Sequence, residues 1–254
     1  MVRAAADAVA SLLFPAPCRI CETLLDAASR IPICRACLEA MGPLPGPVCD
    51  RCGRPFPSLM TAESGPRQCL ACRRGLYDFD LARSYADYNH TMARAVMLLK
   101  YSAVEPLAGW FAERLGELIS LEPRLMEVDM VVPVPLDAAR LRERGYNQAE
   151  RIARPLARRL GLPLKPVLLL RKRPRPAKLK LTRRERWTTV HGAYAMRDAE
   201  PIDKARVLLL DDVFTTGATL DACSRALRAG GAAKVVAVTV ARVTSRWALP
   251  PAVG

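Results

Sequence analysis

The chain has 254 residues, of which 51% are hydrophobic and 25% charged. That is ordinary for a soluble, packed protein of one large or two small domains. No apolar run approaches the roughly 20 residues of a membrane-spanning helix, and a formal net charge of +14 points to anionic partners.

Residues 1–17 carry a short apolar stretch that Asp7 interrupts. A cysteine cluster follows directly and would be oxidised outside the cell. The segment therefore reads as an amphipathic leader of a cytoplasmic protein and not as a secretory signal.

Eight of the nine cysteines lie before residue 73, as four C-x₂-C pairs: Cys18/Cys21, Cys34/Cys37, Cys49/Cys52 and Cys69/Cys72. Each pair offers two thiolates from one knuckle, and two knuckles complete a tetrahedral Zn²⁺ shell. Two structural zinc ions are expected. Disulfides would require a secreted chain. Sequential sharing of the knuckles is expected over interleaved sharing. Gly53 stands directly behind the knuckle of Cys49 and Cys52, where a tight turn is needed. Residues 1–75 are assigned to a zinc-ribbon domain and 76–254 to a second domain. The ninth cysteine, Cys223, falls on the apolar face of a helix and is expected in the core.

The charge is unevenly spread. Residues 1–75 carry +3, residues 140–159 carry +5 and residues 171–187 carry +8. Four thiolates around one Zn²⁺ leave a charge of about −2 per centre, which brings the cysteine region close to neutral. The electropositive surface is thus expected on the second domain, against the idea of a DNA-binding zinc finger.

Asp129 to Leu136 reads as a short buried strand, followed by a turn near Gly145 and a helix from about Asn147 to Leu160. If the sheet is parallel, the loop after that strand emerges at the ligand edge and brings Arg140 and Arg144 to an anion. The window 171–187 is too charged and too broken by proline to be core, and reads as a mobile loop. Val207 to Leu210 is another buried strand, and "VLLLDDVFTTGAT" (207–219) carries it into a helix that Gly230 and Gly231 close, with a further strand at Lys234 to Ala241. In such a strand–loop–helix unit the helix N-terminus offers unpaired N–H groups to an anion. Thr215, Thr216 and Thr219 add hydroxyls, and Gly217 permits close approach. Asp211 and Asp212, expected just past the strand, suit sugar hydroxyls or a hydrated Mg²⁺. The whole string favours a phosphorylated sugar.

"VLLLDDVFTTGAT" resembles the phosphoribosyl pyrophosphate (PRPP) signature of the type I phosphoribosyltransferases. The resemblance implies a parallel α/β sheet with helices on both faces. It also implies that Asp211 and Asp212 hold ribose, and that Val213, Thr215, Thr216, Gly217, Ala218 and Thr219 wrap the 5′-phosphate.

"LLK-Y" (98–101), "RGYNQA" (144–149) and "LTRRER…VHGAY" (181–194) precede that loop, behind a double cysteine ribbon led by "LLFPAPC". This arrangement resembles the ComF family, which is linked to bacterial competence and DNA uptake. By that resemblance, Val134 to Tyr146 is a pyrophosphate loop and 171–187 a flexible closing loop, with Lys100, Arg140, Arg144, Arg183 and Arg186 as its cations. Arg175, Lys178 and Thr189 depart from the family pattern and make a polyanion ligand more plausible.

The functions implied are PRPP binding with Mg²⁺, transfer of phosphoribose to an acceptor, and a role in DNA uptake beside a competence helicase. The alternatives are non-catalytic single-stranded DNA binding, PRPP sensing, and nucleobase salvage. No general base and no base-recognition segment is legible in the sequence.

Overall fold

The computed structural model describes residues 16–25, 29–56, 67–173, 182–197 and 202–244. The leading segment and residues 174–181 of the basic loop, including Arg175 and Lys178, therefore lie outside the described residues. Two short helices, α1 (Arg35–Glu39) and α2 (Leu70–Arg73), belong to the cysteine region. Then follow β1 (Leu81–Asp87), α3 (His90–Tyr101), α4 (Pro106–Ser120), β2 (Met130–Pro133), α5 (Ala138–Arg144) and α6 (Gln148–Leu160). The chain ends with β3 (Leu169–Arg171), α7 (Arg183–Val190), β4 (Tyr194–Met196), β5 (Arg206–Phe214), α8 (Ala218–Ala229) and β6 (Lys234–Arg242).

The main sheet has the order β1-β6-β5-β2 and is parallel throughout, while β3 and β4 form a small antiparallel pair. The central strands β5 and β6 read as near-continuous apolar runs because both faces of a parallel sheet are covered. Period-two alternation divides their side chains between two cores. Leu208, Leu210, Val236 and Val238 point into one core with α3, α4 and α6. Val207, Leu209, Val235 and Ala237 point into the other with α8 and the β3–β4 pair. The one buried polar contact between β1 and β6 is self-satisfied: the Ser84 and Thr239 hydroxyls lie 2.7 Å apart, and Thr239 also donates to the Ala241 carbonyl.

Two expectations change. Strand β5 runs to Phe214, not Leu210, since Val213 and Phe214 still pair with Ala241 and Arg242 of β6. Asp211 and Asp212 are therefore strand residues, and Asp212 is buried. The stretch before Gly145 is also more ordered than a turn. Asp137 caps α5 by accepting from the Arg140 N–H at 3.1 Å, and Gly145 ends the helix with a φ of 77°. That left-handed position suits glycine. Helix α6 begins as expected at Asn147, whose side chain caps it and also donates to the Val134 carbonyl at 3.0 Å. Cys223 is fully buried on α8, as expected. Among the described residues no helix is long and apolar enough to cross a membrane.

Candidate anion site and cysteine centres

A cleft of about 330 Å³ opens at the carboxyl ends of β2 and β5. It collects Lys100 from α3, Arg140 and Arg144 from α5, and Asp211, Asp212, Val213, Thr215, Thr216, Ala218 and Thr219 from β5 and its loop. Gly217 stands behind the wall. Its φ is 82°, and a Cβ there would lie 2.6 Å from the Tyr77 ring and 2.7 Å from the Phe214 ring. Only glycine supplies both the conformation and the space. Arg183 and Arg186 lie on α7, and their side chains are outside the described residues.

The loop has the chemistry of an anion cradle. The Ala218 N–H donates to the Thr216 hydroxyl at 3.3 Å. The N–H groups of Thr215, Thr216 and Gly217 have no partner among the described residues. They precede α8, so its dipole adds to their pull on an anion.

The acid pair is asymmetric. Lys100 forms an ion pair with Asp212, with both side chains largely buried. Burial pushes the Asp212 carboxyl up, but the Lys100 ammonium outweighs burial and holds it below the usual carboxylate range. Burial and the neighbouring Asp212 charge push Asp211 well above that range. The pair is thus biased in opposite directions, Asp212 toward its charged form and Asp211 toward its neutral one.

On the facing wall, Arg144 donates to the Tyr101 hydroxyl at 2.7 Å and to Gln148 at 2.9 Å, and its guanidinium lies 4.5 Å from the Tyr101 ring centre. Arg171, from β3, donates to the Tyr194 hydroxyl at 2.7 Å. Neither arginine has a carboxylate partner among the described residues, and each keeps one buried guanidinium nitrogen with no hydrogen-bond partner. Orphaned buried donors of this kind call for an acceptor.

Asp137, Arg171 and Tyr194 are among the lining residues not assigned to this site from the sequence. Asp137 was legible as an Asp before a helical run. Arg171 and Tyr194 come together through the β3–β4 pair, which the reading of 171–187 as a loop obscured.

The eight cysteines form two quartets in sequential order, Cys18/Cys21/Cys34/Cys37 and Cys49/Cys52/Cys69/Cys72, with all sulfurs of a quartet within 4.8 Å of one another. A Zn–S bond of about 2.3 Å in a tetrahedron sets sulfurs about 3.8 Å apart. Cys21 and Cys34 are 3.6 Å apart, and Cys52 and Cys69 are 3.7 Å apart. In each quartet a backbone N–H of the second knuckle points at a sulfur of the first at 3.3 Å, from Cys34 to Cys18 and from Cys69 to Cys49. Such amide donors stabilise thiolates. Both quartets fit structural zinc, with no position left open for catalysis.

Comparison with known proteins agrees with this geometry. Residues 9–73 match the double zinc ribbon domain family, and residues 147–252 match the phosphoribosyl transferase domain family. The chain thus joins a double zinc ribbon to a phosphoribosyltransferase domain. It is 28% identical over 229 residues to DNA utilization protein YhgH of Salmonella typhimurium, covering 88% of this chain and 96% of that protein. It is 29% identical over 215 residues to competence protein ComFC of Bacillus subtilis, covering 83% and 84%. The chain is a homologue of the ComF and YhgH proteins. Among solved structures, orotate phosphoribosyltransferase from Aeropyrum pernix aligns with a TM-score of 0.31 at 21% identity, covering 65% of this chain and 71% of that one.

Proposed function

We propose that the cleft binds PRPP together with Mg²⁺, and that the protein works in DNA uptake, as the name of its Bacillus relative suggests. One observation carries the ligand reading: a single cleft has two separate anion walls with the acid pair beside them. The Thr215–Thr219 loop suits a 5′-phosphate, the Arg140 and Arg144 wall suits pyrophosphate, and Asp211 and Asp212 suit the ribose hydroxyls between. Asp137, Asp211 and Asp212 provide only carboxylates, one of them tied to Lys100, and no closed cage. That donor set fits a Mg²⁺ that arrives on pyrophosphate and keeps most of its water. When bound, Mg²⁺ would neutralise charge on the pyrophosphate oxygens.

If transfer occurs, the protein's share is positioning and charge. Arg140 and Arg144 would stabilise the departing pyrophosphate, and the loop would hold the phosphoribose still.

Titration calorimetry tests the reading. PRPP with Mg²⁺ should bind, and ribose 5-phosphate and pyrophosphate should each bind more weakly. Arg140→Ala with Arg144→Ala should weaken pyrophosphate by about 1.5–3 kcal/mol per lost charge-assisted bond and leave ribose 5-phosphate nearly unchanged. No heat with PRPP, or loss of both fragments together, would overturn the assignment.

A second reading, a surface for single-stranded DNA, is favoured by Tyr101. This side chain is 54% exposed and lies against Arg144 at the cleft rim. An aromatic face beside cations is what a strand's bases and phosphates require.

A further inference from the structure

The two cysteine quartets stand in different relations to the phosphate loop. The route from the second one is continuous. Arg242, the last residue of β6, is 2% exposed. Its guanidinium donates to the Cys52 carbonyl at 2.5 Å, lies 3.8 Å from the Cys52 sulfur, and stacks 3.9 Å from the centre of the Phe214 ring.

No carboxylate pairs with Arg242 among the described residues. A buried cation without counter-charge is strongly unfavourable. The nearby Arg83 has its own partner in Glu122 at 2.8 Å. The counter-charge within reach of Arg242 is the thiolate set of the second quartet, which stays negative with Zn²⁺ bound.

Phe214 ends β5, and its ring walls the space that forces residue 217 to be glycine. A second strand of contacts runs in parallel. Arg51, inside the Cys49–Cys52 knuckle, donates to the carbonyls of Tyr77 and Phe79. The Tyr77 hydroxyl donates to the Thr216 carbonyl at 3.1 Å, and its ring is the other wall against Gly217. The loop is therefore held from below by two aromatic rings, and both are tied to the second quartet. Among the described residues the first quartet makes no such connection: Cys18 and Cys37 pack into the opposite core, and the segment that follows meets the far strand, with the Leu44 N–H donating to the Tyr85 carbonyl at 2.8 Å.

We infer that Arg242 is a positioning residue through which the metal-loaded second quartet holds the phosphate loop in its binding form, while the first quartet has no part in this. The inference rests on reading 213–219 as a phosphate loop. Its primary test does not, because it follows the free protein.

The test is hydrogen–deuterium exchange of full-length protein without ligand, with zinc content measured alongside. Arg242→Met should raise exchange by roughly tenfold, the scale of one desolvated cation–π contact, at the amides that hydrogen-bond to the loop, Asp221 N–H on the Gly217 carbonyl and Val243 N–H on the Phe214 carbonyl, both at 2.9 Å, while 234–241 of the core strand stays protected. Arg242→Lys should recover part of that protection, because a cation is restored without the planar fork. Cys21→Ala, in the first quartet, should leave these two amides unchanged.

Where Arg242→Met does not fold, stepwise zinc removal from the wild type by a chelator answers the same question. Release of the ion held by the partly exposed first quartet should leave the loop protected, and release of the second should expose it. Unchanged exchange in Arg242→Met, equal exposure in Cys21→Ala, or loop exposure accompanying the first zinc would each overturn the inference. If the loop responds as expected but the wild type binds no ribose 5-phosphate, the coupling stands and the ligand assignment is what fails.

Discussion

The two quartets are the same chemical object placed in two different ways. The first keeps Cys21 exposed and Cys34 half-buried, and leans on the α3–α4 side of the sheet. The second is buried at all four cysteines and is part of the core under α8. The residue after each leading knuckle shows the contrast at one atom. Glu22 and Gly53 have nearly the same backbone, with φ of 66° and 69°. Glu22 is exposed and keeps a side chain. At Gly53 a Cβ would lie 2.7 Å from the Ala82 carbonyl of β1. The knuckle turn itself tolerates a side chain in this conformation. The glycine is demanded by the strand it rests on. A metal motif thus says how a turn closes, and its seat decides whether it supports the fold or only itself.

The largest expected difference comes from removing ligands. Structural zinc binding is of the order of 10 kcal/mol and is coupled to folding. Cys49→Ala with Cys52→Ala should therefore unfold the α8 side of the sheet or leave the chain insoluble. Cys18→Ala with Cys21→Ala should lose about one zinc and keep a cooperative melt by circular dichroism. Equal damage from the two would erase the distinction between the seats.

A buried pair remote from both quartets gives the next scale. Asp212→Asn would leave Lys100 buried without its counter-charge, at a cost of about 3–5 kcal/mol, measurable by urea unfolding. Acids just past the strand, where the sequence places them, could be changed with little cost to the fold. Their position within β5 reverses that expectation.

The knuckle comparison can then be made directly. Gly53→Ala combines a left-handed alanine, about 1–2 kcal/mol, with a backbone clash, and should lower the urea midpoint clearly. Glu22→Gly relieves the same backbone strain without a clash, and should be neutral or raise stability by up to about 1 kcal/mol.

The smallest effect is in pH. Burial and the Asp212 charge raise the Asp211 carboxyl above its unfolded value. Between the unfolded carboxyl pKa and the raised folded one, the native state binds the extra proton, so stability falls as pH rises, by at most about 1.4 kcal/mol per pH unit for one group. Asp212, with its lowered carboxyl, contributes the opposite slope, lost only as pH falls below the ordinary carboxylate range. Asp211→Asn should flatten the decline above pH 4 relative to wild type in paired urea titrations, and an unchanged difference across that range would remove Asp211 as its source.

Much of this was legible without coordinates. Spacing alone marked four knuckles, because a C-x₂-C turn is a local object, whereas their sequential sharing was an expectation that spacing leaves open and the two quartets bear out. The apolar runs within 129–136, 207–210 and 234–241 marked three of the four parallel strands, because burial on both faces leaves no polar alternation; β1, whose run is broken by Arg83 and Ser84, was not marked. The hydroxyl-rich stretch behind Asp212 marked the loop, since a strand end followed by a helix start exposes its N–H groups whatever surrounds it. The extension of β5 through both acids was not legible. Two adjacent carboxylates look like a strand terminator until a lysine from α3 and the register of β6 are known to receive them.

What only the tertiary structure decided are the meetings of distant residues: Lys100 with Asp212, Arg171 with Tyr194 across the β3–β4 pair, and Arg242 with Cys52 and Phe214. Arg242 and Cys52 are separated by 190 positions, and no periodicity relates them. The sequence by itself determined which pieces could bind metal or anion, because those capacities reside in short runs of backbone and side chain. It could not determine which face of the sheet each quartet would occupy. That choice is made by how the alternating side chains of β5 and β6 are shared between two cores, and it is why, among the described residues, one of two matching motifs is linked to the 215–219 loop through Arg242, Phe214 and Tyr77 and the other is not.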